Sequence, residues 1–312
     1  HADAAVDAAR AAWPAWRSAP PEDRAALLFR TAKIMRRRRD ELSAVQVFEV
    51  GKPWRQADGD VCEAIDFLEY YGREMIRLGR PRKMGDAPGE HNELSYRSRG
   101  VGVVIAPWNF PLAIITGMTS AAVVAGNPVI VKPAEPSPWV AWTMMECFRE
   151  AGLPDGVINF LPGPGRVVGQ RLVEHPKTGF VVFTGSQPVG LGIVGAAART
   201  SPEQPGIKRV VCELGGKNAV IVDSDADLDE AVAAIVYSAF GFAGQKCSAC
   251  SRVIVLDGAH DALVERLREA TRSIRVGRPA DPATFVGPVV DAKQYDSVRH
   301  WREVACEEGE VL

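Results

Sequence analysis

From Gly100 to Val131 the chain carries no Asp, Glu, Lys or Arg. A run of that length meets the requirement of about 20 apolar residues for a membrane-spanning helix, so two very different folds are open to it. Two breaks decide between them. Pro107-Trp108-Asn109-Phe110-Pro111 and Gly126-Asn127-Pro128 cut the run into a strand, a helix and a strand, because proline lacks an amide hydrogen and glycine-proline clusters end regular structure. The run reads as the buried core of an α/β protein, with no membrane span.

The same rhythm continues downstream. VGVVIAP, PVIVKP, VINFLP and GFVVFTG are short β-branched runs, each followed by a helical stretch. Such alternation predicts a parallel sheet covered on both faces. Ligands of these sheets sit beyond the carboxyl ends of the strands, which here read APWN, KPAE, LPGPG and FTGS. Upstream, residues 1–79 read as helices, with apolar faces supplied by Leu27, Leu28, Ile34 and Met35 and then by Val61, Ile65 and Leu68. The polar, Pro/Gly-rich stretch 80–100 predicts a loop or exposed hairpin. Beyond Pro205 a second alternating series begins: RVVCELGG, NAVIVD, a helix from Asp225 to Phe242, RVIVLD, and a helix from Ala259 to Ile274. A domain change near 207–213 follows, dividing the chain into 1–211 and 212–312.

Composition narrows the partners. A chain of 312 residues, 46% hydrophobic, is long enough for two cores, and a net charge of −2 argues against nucleic acid. Six cysteines at Cys62, Cys147, Cys212, Cys247, Cys250 and Cys306 show no disulfide-framework spacing, which favours a reducing compartment, the cytoplasm. No signal-peptide pattern is visible, there is no starting Met, and the chain stops at Leu312 soon after a helical pattern. A fragment is expected.

Several strand ends carry side chains suited to chemistry. Gly190, Gly192 and Gly195 match G-x-G-x-x-G, but they fall inside the predicted helix rather than in the strand–helix turn that cradles a pyrophosphate. The turn Phe183-Thr184-Gly185-Ser186 is the better candidate, since Gly185 permits close approach and Ser186 can donate at a helix N-terminus. Lys132 and Glu135 together can grip both hydroxyls of an adenosine ribose, and the carboxylate would repel a 2′-phosphate, favouring NAD over NADP. Asn109, in a rigid turn between prolines, can donate to a developing oxyanion. Glu213, after an apolar strand, is expected in apolar surroundings that raise a carboxyl pKa and suit a general base. Each of these also has an ordinary structural explanation: a surface ion pair, an Asn tied to local backbone, a turn Glu.

GFAGQKCSAC at 241–250 places Cys247 between a lysine and a serine in a run of small residues. Nearby positive charge and room for a substrate are what a reactive thiolate needs. Cys247 and Cys250 also form a CxxC pair, but no second pair exists and the five histidines are dispersed, so no metal site is expected. A thiol nucleophile at Cys247, with Cys250 as small core filling, is the stronger reading.

Taken in order, APWNFP, VKPAEP, FTGS, ELGGK and FGFAGQKCSA resemble the aldehyde dehydrogenase superfamily along essentially the whole chain. The resemblance implies an aldehyde dehydrogenase-like α/β fold, with a Rossmann-type parallel-sheet NAD domain over 1–211 and the first part of a second α/β catalytic domain, truncated, over 212–312. Within the first domain, 80–100 would be an exposed arm used to build a homo-oligomer. NAD would be held by Ile105, Pro107, Trp108, Lys132, Glu135, Gly165, Gly169, Phe183, Gly185, Ser186 and Leu214. Cys247, Asn109 and Glu213 would be nucleophile, oxyanion donor and base.

Within the superfamily, GFAGQKCSACSR and CEAIDFLEYY are similar to the 1-pyrroline-5-carboxylate dehydrogenases, also called L-glutamate γ-semialdehyde dehydrogenases. That similarity implies NAD-dependent oxidation of L-glutamate 5-semialdehyde to L-glutamate, with Lys246 and Ser248 on the substrate's α-carboxylate, Glu63 on its ammonium and Phe110 along its aliphatic chain. It also allows fusion to a proline dehydrogenase domain. The rivals are another NAD(P)-dependent semialdehyde or broad-specificity aldehyde dehydrogenase, a thioester-forming acyl transferase, and a non-enzymatic protein with a relic pocket. A fragment of such an enzyme is expected to bind nucleotide poorly and to be inactive alone.

Overall fold

The computed structural model describes residues 1–311. They divide into two compact units, His1–Leu42 with Asp58–Leu214, and Ser43–Ala57 with the chain from Gly215 onward.

Four helices come first: α1 (Ala2–Ser18), α2 (Pro21–Arg37), α3 (Arg39–Val50) and α4 (Trp54–Leu78). Pro21 opens α2, a position where its missing amide hydrogen costs nothing. The polar stretch that follows is an exposed antiparallel pair, β1 (Arg82–Lys83) and β2 (Glu93–Leu94). Then the predicted alternation appears as β3 (Gly102–Ile105), α5 (Ala113–Val124), β4 (Val129–Lys132), α6 (Pro138–Glu150) and β5 (Ile158–Phe160). A π-helical turn over Gly165–Gly169 runs into α7 (Gln170–Glu174), followed by β6 (Phe180–Thr184), α8 (Gln187–Ala198) and β7 (Arg209–Glu213).

The five strands form one parallel sheet in the order β5-β4-β3-β6-β7. The chain winds outward from β3 to β5, then returns past β3 to lay down β6 and β7. Winding therefore reverses between β3 and β6, and ligands of doubly wound sheets settle at such a reversal, beyond the carboxyl ends. β3 and β4 are buried along their whole length, as central strands with two covered faces must be. Val103, Ile105, Ile130, Val181, Phe183 and Ile193 belong to one core cluster with Val6 and Ala9 of α1. Gly102 is needed where it stands, because a Cβ there would lie 2.3 Å from the Phe180 ring.

The first five residues of RVVCELGG, read from the sequence as the start of the second domain, form β7 of the first sheet, paired residue by residue with β6. Residues 43–57, read as part of the first domain, cluster with the second unit. Both differences have one cause: an apolar strand or helix end does not encode which distant partner it packs against.

The second unit contains β8 (Asn218–Val222), α9 (Leu228–Phe240), β9 (Cys250–Val255), α10 (Asp257–Arg272) and α11 (Ala292–Glu308). β8 and β9 pair in parallel across the α9 connection. Asp227 starts α9, its carboxylate accepting from the amides of Asp229 and Glu230 in the manner of an N-cap. Val222, Val232, Ile235 and Leu263 form this unit's core. Among the described residues, no helix is long and apolar enough to cross a membrane.

Candidate active site

In the first unit, the carboxyl end of β3, the π-helical turn, α7 and α8 border a cleft of about 450 Å³. Ile105, Gly165, Gly169, Val189, Gly192 and Ile193 are among its lining residues. Two of the three glycines of the G-x-G-x-x-G pattern meet no side-chain neighbour within 4 Å, and all three lie inside α8, so the pattern thins a helix face rather than forming a turn. The β6–α8 turn has the features of an anion cradle. Ser186 is the N-cap of α8 but makes no side-chain capping bond, leaving its hydroxyl and the first amides of the helix for a ligand. Gly185 is required there, since a Cβ would meet the Phe183 ring at 2.5 Å. Leu214 packs against Gly190, where an added Cβ would sit 2.6 Å from its Cδ2.

Lys132 ends β4 almost fully buried, its ammonium donating to the Pro133 carbonyl at 2.8 Å. Burial pulls its pKa down and the Glu135 carboxylate partly opposes this. Glu135 accepts from the Gly165 amide at 2.9 Å, which ties the KPAE strand end to the π-helical turn. A largely apolar cleft with three glycines in its lining, the Glu135 carboxylate tied to its Gly165 and a helix N-terminus with no side-chain cap fit an adenine, a ribose and a pyrophosphate in turn.

Pro107, Trp108, Asn109 and Phe110 are half-buried after β3. The Asn109 side-chain oxygen accepts from the Phe110 amide at 3.1 Å, which ties that end of the side chain to the main chain of the turn. Glu213 departs from expectation. It is exposed at the end of β7, and not in apolar company, because β7 is the outer strand and alternates half-buried Val210 and Cys212 with exposed Arg209, Val211 and Glu213. The main chain of Glu213 accepts from Gly185 at 3.1 Å, so the base candidate and the anion cradle share one sheet edge. Glu63 lies exposed on α4.

The second unit holds the thiol. After α9 the chain makes a left-handed turn in which Phe242, Ala243 and Gly244 have φ of 54°, 55° and 69°. Two successive non-glycine residues in that region cost about 1–2 kcal/mol each, and several contacts hold them there. The Phe242 ring is fully buried with the Lys52 ammonium 5.3 Å from its centroid. The Phe242 carbonyl accepts from both the main-chain and side-chain nitrogens of Gln245, each at 3.1 Å. Gln245 in turn accepts from the Val290 amide at 3.0 Å.

Beyond this turn Cys247 and Ser248 are exposed, and the Cys247 carbonyl is held by the Asn218 side-chain amide at 2.8 Å. Lys246 is half-buried, its ammonium 4.8 Å from the centre of the Tyr237 ring. Burial lowers its pKa and the nearby Lys52 charge lowers it further. Cys250 is buried at the start of β9. Among the described residues, no group of three or more His, Cys, Asp or Glu side chains is arranged to hold a metal.

Two positioning residues escaped the sequence reading. Asp60, 1% exposed on α4, accepts from the amides of Leu112 and Ala113. It therefore caps α5 from a neighbouring helix and fixes the turn that carries Asn109 and Phe110. Lys52, with no exposed surface, braces the turn before Cys247. Lys52 had a faint signal, a Gly-Lys-Pro stop between two helices. Asp60 had none, being one acid among several in a polar helix start.

The aldehyde dehydrogenase family model matches residues 1–312. The 1-pyrroline-5-carboxylate dehydrogenase of Geobacillus thermodenitrificans is 50% identical over 311 residues, covering 100% of this chain and 60% of that protein. A Thermus 1-pyrroline-5-carboxylate dehydrogenase solved with bound NAD superposes with a TM-score of 0.97 at 49% identity, over 100% of this chain and 60% of that one. Proline utilization A from Bdellovibrio bacteriovorus gives a TM-score of 0.98 at 53% identity, over 100% of this chain and 32% of that one. The chain thus spans 60% of the length of the curated relatives it matches.

Proposed function

The chain belongs to the aldehyde dehydrogenase family, and from that premise we propose that the whole protein oxidises L-glutamate 5-semialdehyde to L-glutamate with NAD⁺. The observation that carries the substrate is Lys246: a half-buried ammonium one residue from an exposed thiol, a cation that can capture the carboxylate at the far end of a short aldehyde whose carbonyl carbon meets that thiol. The similarity to 1-pyrroline-5-carboxylate dehydrogenases supports it, and the likeness to bifunctional proline utilization A supports a place in proline breakdown.

In this reading the Cys247 thiolate attacks the aldehyde carbon, and the carbonyl electron pair moves onto oxygen to give a thiohemiacetal. The Asn109 amide and the Cys247 main-chain amide donate to that oxygen. Losing one such donor costs about 10²–10³ in rate. As that oxyanion collapses to a C=O bond, the carbon loses its hydrogen as hydride and becomes a thioester; bound NAD⁺ would supply the hydride acceptor. The cleft residues Ile105, Gly165 and Gly169 would hold the adenine end, Lys132 and Glu135 the ribose, and Gly185 and Ser186 the pyrophosphate, with Pro107, Trp108, Phe183 and Leu214 completing the walls. Glu213 then takes a proton from water, the hydroxide adds to the thioester, and the thiolate leaves. Exposure of Glu213 in the chain suits a base that must reach water. Ser248 assists Lys246 at the α-carboxylate, Glu63 meets the ammonium, and Phe110 packs along the methylenes. The exposed β1–β2 arm serves assembly with further copies.

The decisive comparison uses two aldehydes with the whole protein. Lys246→Ala is expected to lower kcat/KM for glutamate semialdehyde by roughly 10–100-fold, the worth of one charge-assisted contact, while an uncharged aliphatic aldehyde loses far less. Equal losses would remove the substrate assignment and leave the dehydrogenase reading standing.

A further inference from the structure

The first unit has a second cavity, of about 530 Å³, bordered by the end of α1, the start of α2, the end of α4 and residues 96–98. Its lining is unlike that of the nucleotide cleft. Three arginines, Arg17, Arg24 and Arg97, face it, and no Asp or Glu does. Arg24 is 5% exposed. Its Nε donates to the Val124 carbonyl at 2.7 Å and its Nη1 to the Ala19 carbonyl, and its Nη2 has no acceptor among the described residues. None of the three guanidinium groups has a carboxylate within ion-pair distance among the described residues.

Buried charges are ordinarily paired, because removing an ion from water costs several kcal/mol that only an opposite charge recovers. Burial accordingly pulls the Arg24 pKa down, with the Glu22 charge only partly opposing. Neutral carbonyls satisfy part of its hydrogen-bonding capacity but none of its charge. The other two cations add to the imbalance instead of relieving it.

The lining is also pre-organised. The Arg17 guanidinium lies 5.2 Å from the centre of the Trp13 ring, and the Trp13 indole donates to the Ser98 hydroxyl at 2.9 Å. Gly126, at φ +84°, lets these groups converge: a Cβ there would lie 3.3 Å from the Arg17 Cα, 3.3 Å from the Ser98 Cβ and 3.6 Å from the Arg24 Cζ. Planar forks held this way match oxyanions with two acceptor oxygens. The volume exceeds that of a single inorganic oxyanion.

We propose that this cavity binds a small organic polyanion, one carrying two or more carboxylate or phosphate groups, through Arg17, Arg24 and Arg97. The site is separate from the nucleotide cleft and owes nothing to the dehydrogenase reading.

The experiment is calorimetric titration of the whole protein with citrate and, separately, with pyrophosphate. Ionic strength is matched with chloride, and NAD⁺ is held at saturation to fill the nucleotide cleft. Binding of at least one probe is expected, weakened about tenfold or more by Arg17→Ala combined with Arg97→Ala. Citrate alone binding assigns carboxylates, and pyrophosphate alone assigns phosphates. Arg24→Gln should abolish binding, but it also removes a cap from α5, so the Arg17 and Arg97 pair carries the test. Trp13 fluorescence, identified by its loss in Trp13→Phe, should shift on binding. No binding of either probe, or equal binding to wild type and double variant, overturns the proposal.

Discussion

Burial lowers the Lys246 pKa and the Lys52 charge lowers it further, while Tyr237 faces the ammonium and Arg55 lies over the same ring at 5.5 Å. Only the protonated amine can hold a carboxylate, so capture is complete at low pH and is lost as pH rises through the lowered pKa. The loss therefore comes below the ordinary lysine range. Any pH effect on the shared chemical steps acts on every aldehyde alike. The ratio of kcat/KM for glutamate semialdehyde to that for an uncharged aldehyde isolates the lysine, and it is expected to fall towards alkaline pH. A ratio flat up to the ordinary lysine value of about 10.4 would show that the ammonium does not discriminate. The thiol itself was readable because reactive cysteines need small neighbours and a nearby cation, and both lie within a few residues of it in the chain. Lys52 was not, because its braced ring at Phe242 is far away in sequence.

At the scale of elements, the strands of the first sheet and the helices between them followed from apolar runs and proline-glycine breaks, since these are local properties. What local properties do not carry is pairing. β7 has the same apolar signature whether it closes one sheet or opens another, and only its register against Phe180–Thr184 shows which. The expectation of an apolar pocket for Glu213 failed for the same reason: an outer strand leaves alternate side chains in water. Helix capping shows the point again. α5 has no capping side chain of its own at Leu112, and Asp60 of α4 supplies the acceptor. Asp60→Ala leaves those two buried amides unsatisfied and is expected to cost about 1–3 kcal/mol in urea unfolding. Asp60→Asn keeps an acceptor oxygen and should cost less. Equal, negligible losses for both would show that the capping geometry contributes nothing to stability.

For the molecule as a whole, the second unit presents the sharpest physical anomaly. Parallel sheets are normally covered on both faces, yet β8 and β9 stand as a pair with Ile221 74% and Ile254 50% exposed. Exposed β-branched side chains on a sheet face promote association with other apolar surfaces. In the chain alone, Ile221→Lys should therefore leave the unfolding midpoint nearly unchanged while lowering light scattering and the binding of a hydrophobic dye. The relatives are longer, this chain spanning 60% of them, and a whole protein that covers this face reverses the outcome. There the same substitution buries a charge where an isoleucine had been, losing at least the 1.5–3 kcal/mol, roughly, that burial of such a side chain is worth. Measuring the variant in both contexts separates a near-zero effect on the midpoint from a clear loss. A midpoint that drops equally in both would mean that Ile221 is already packed within the second unit.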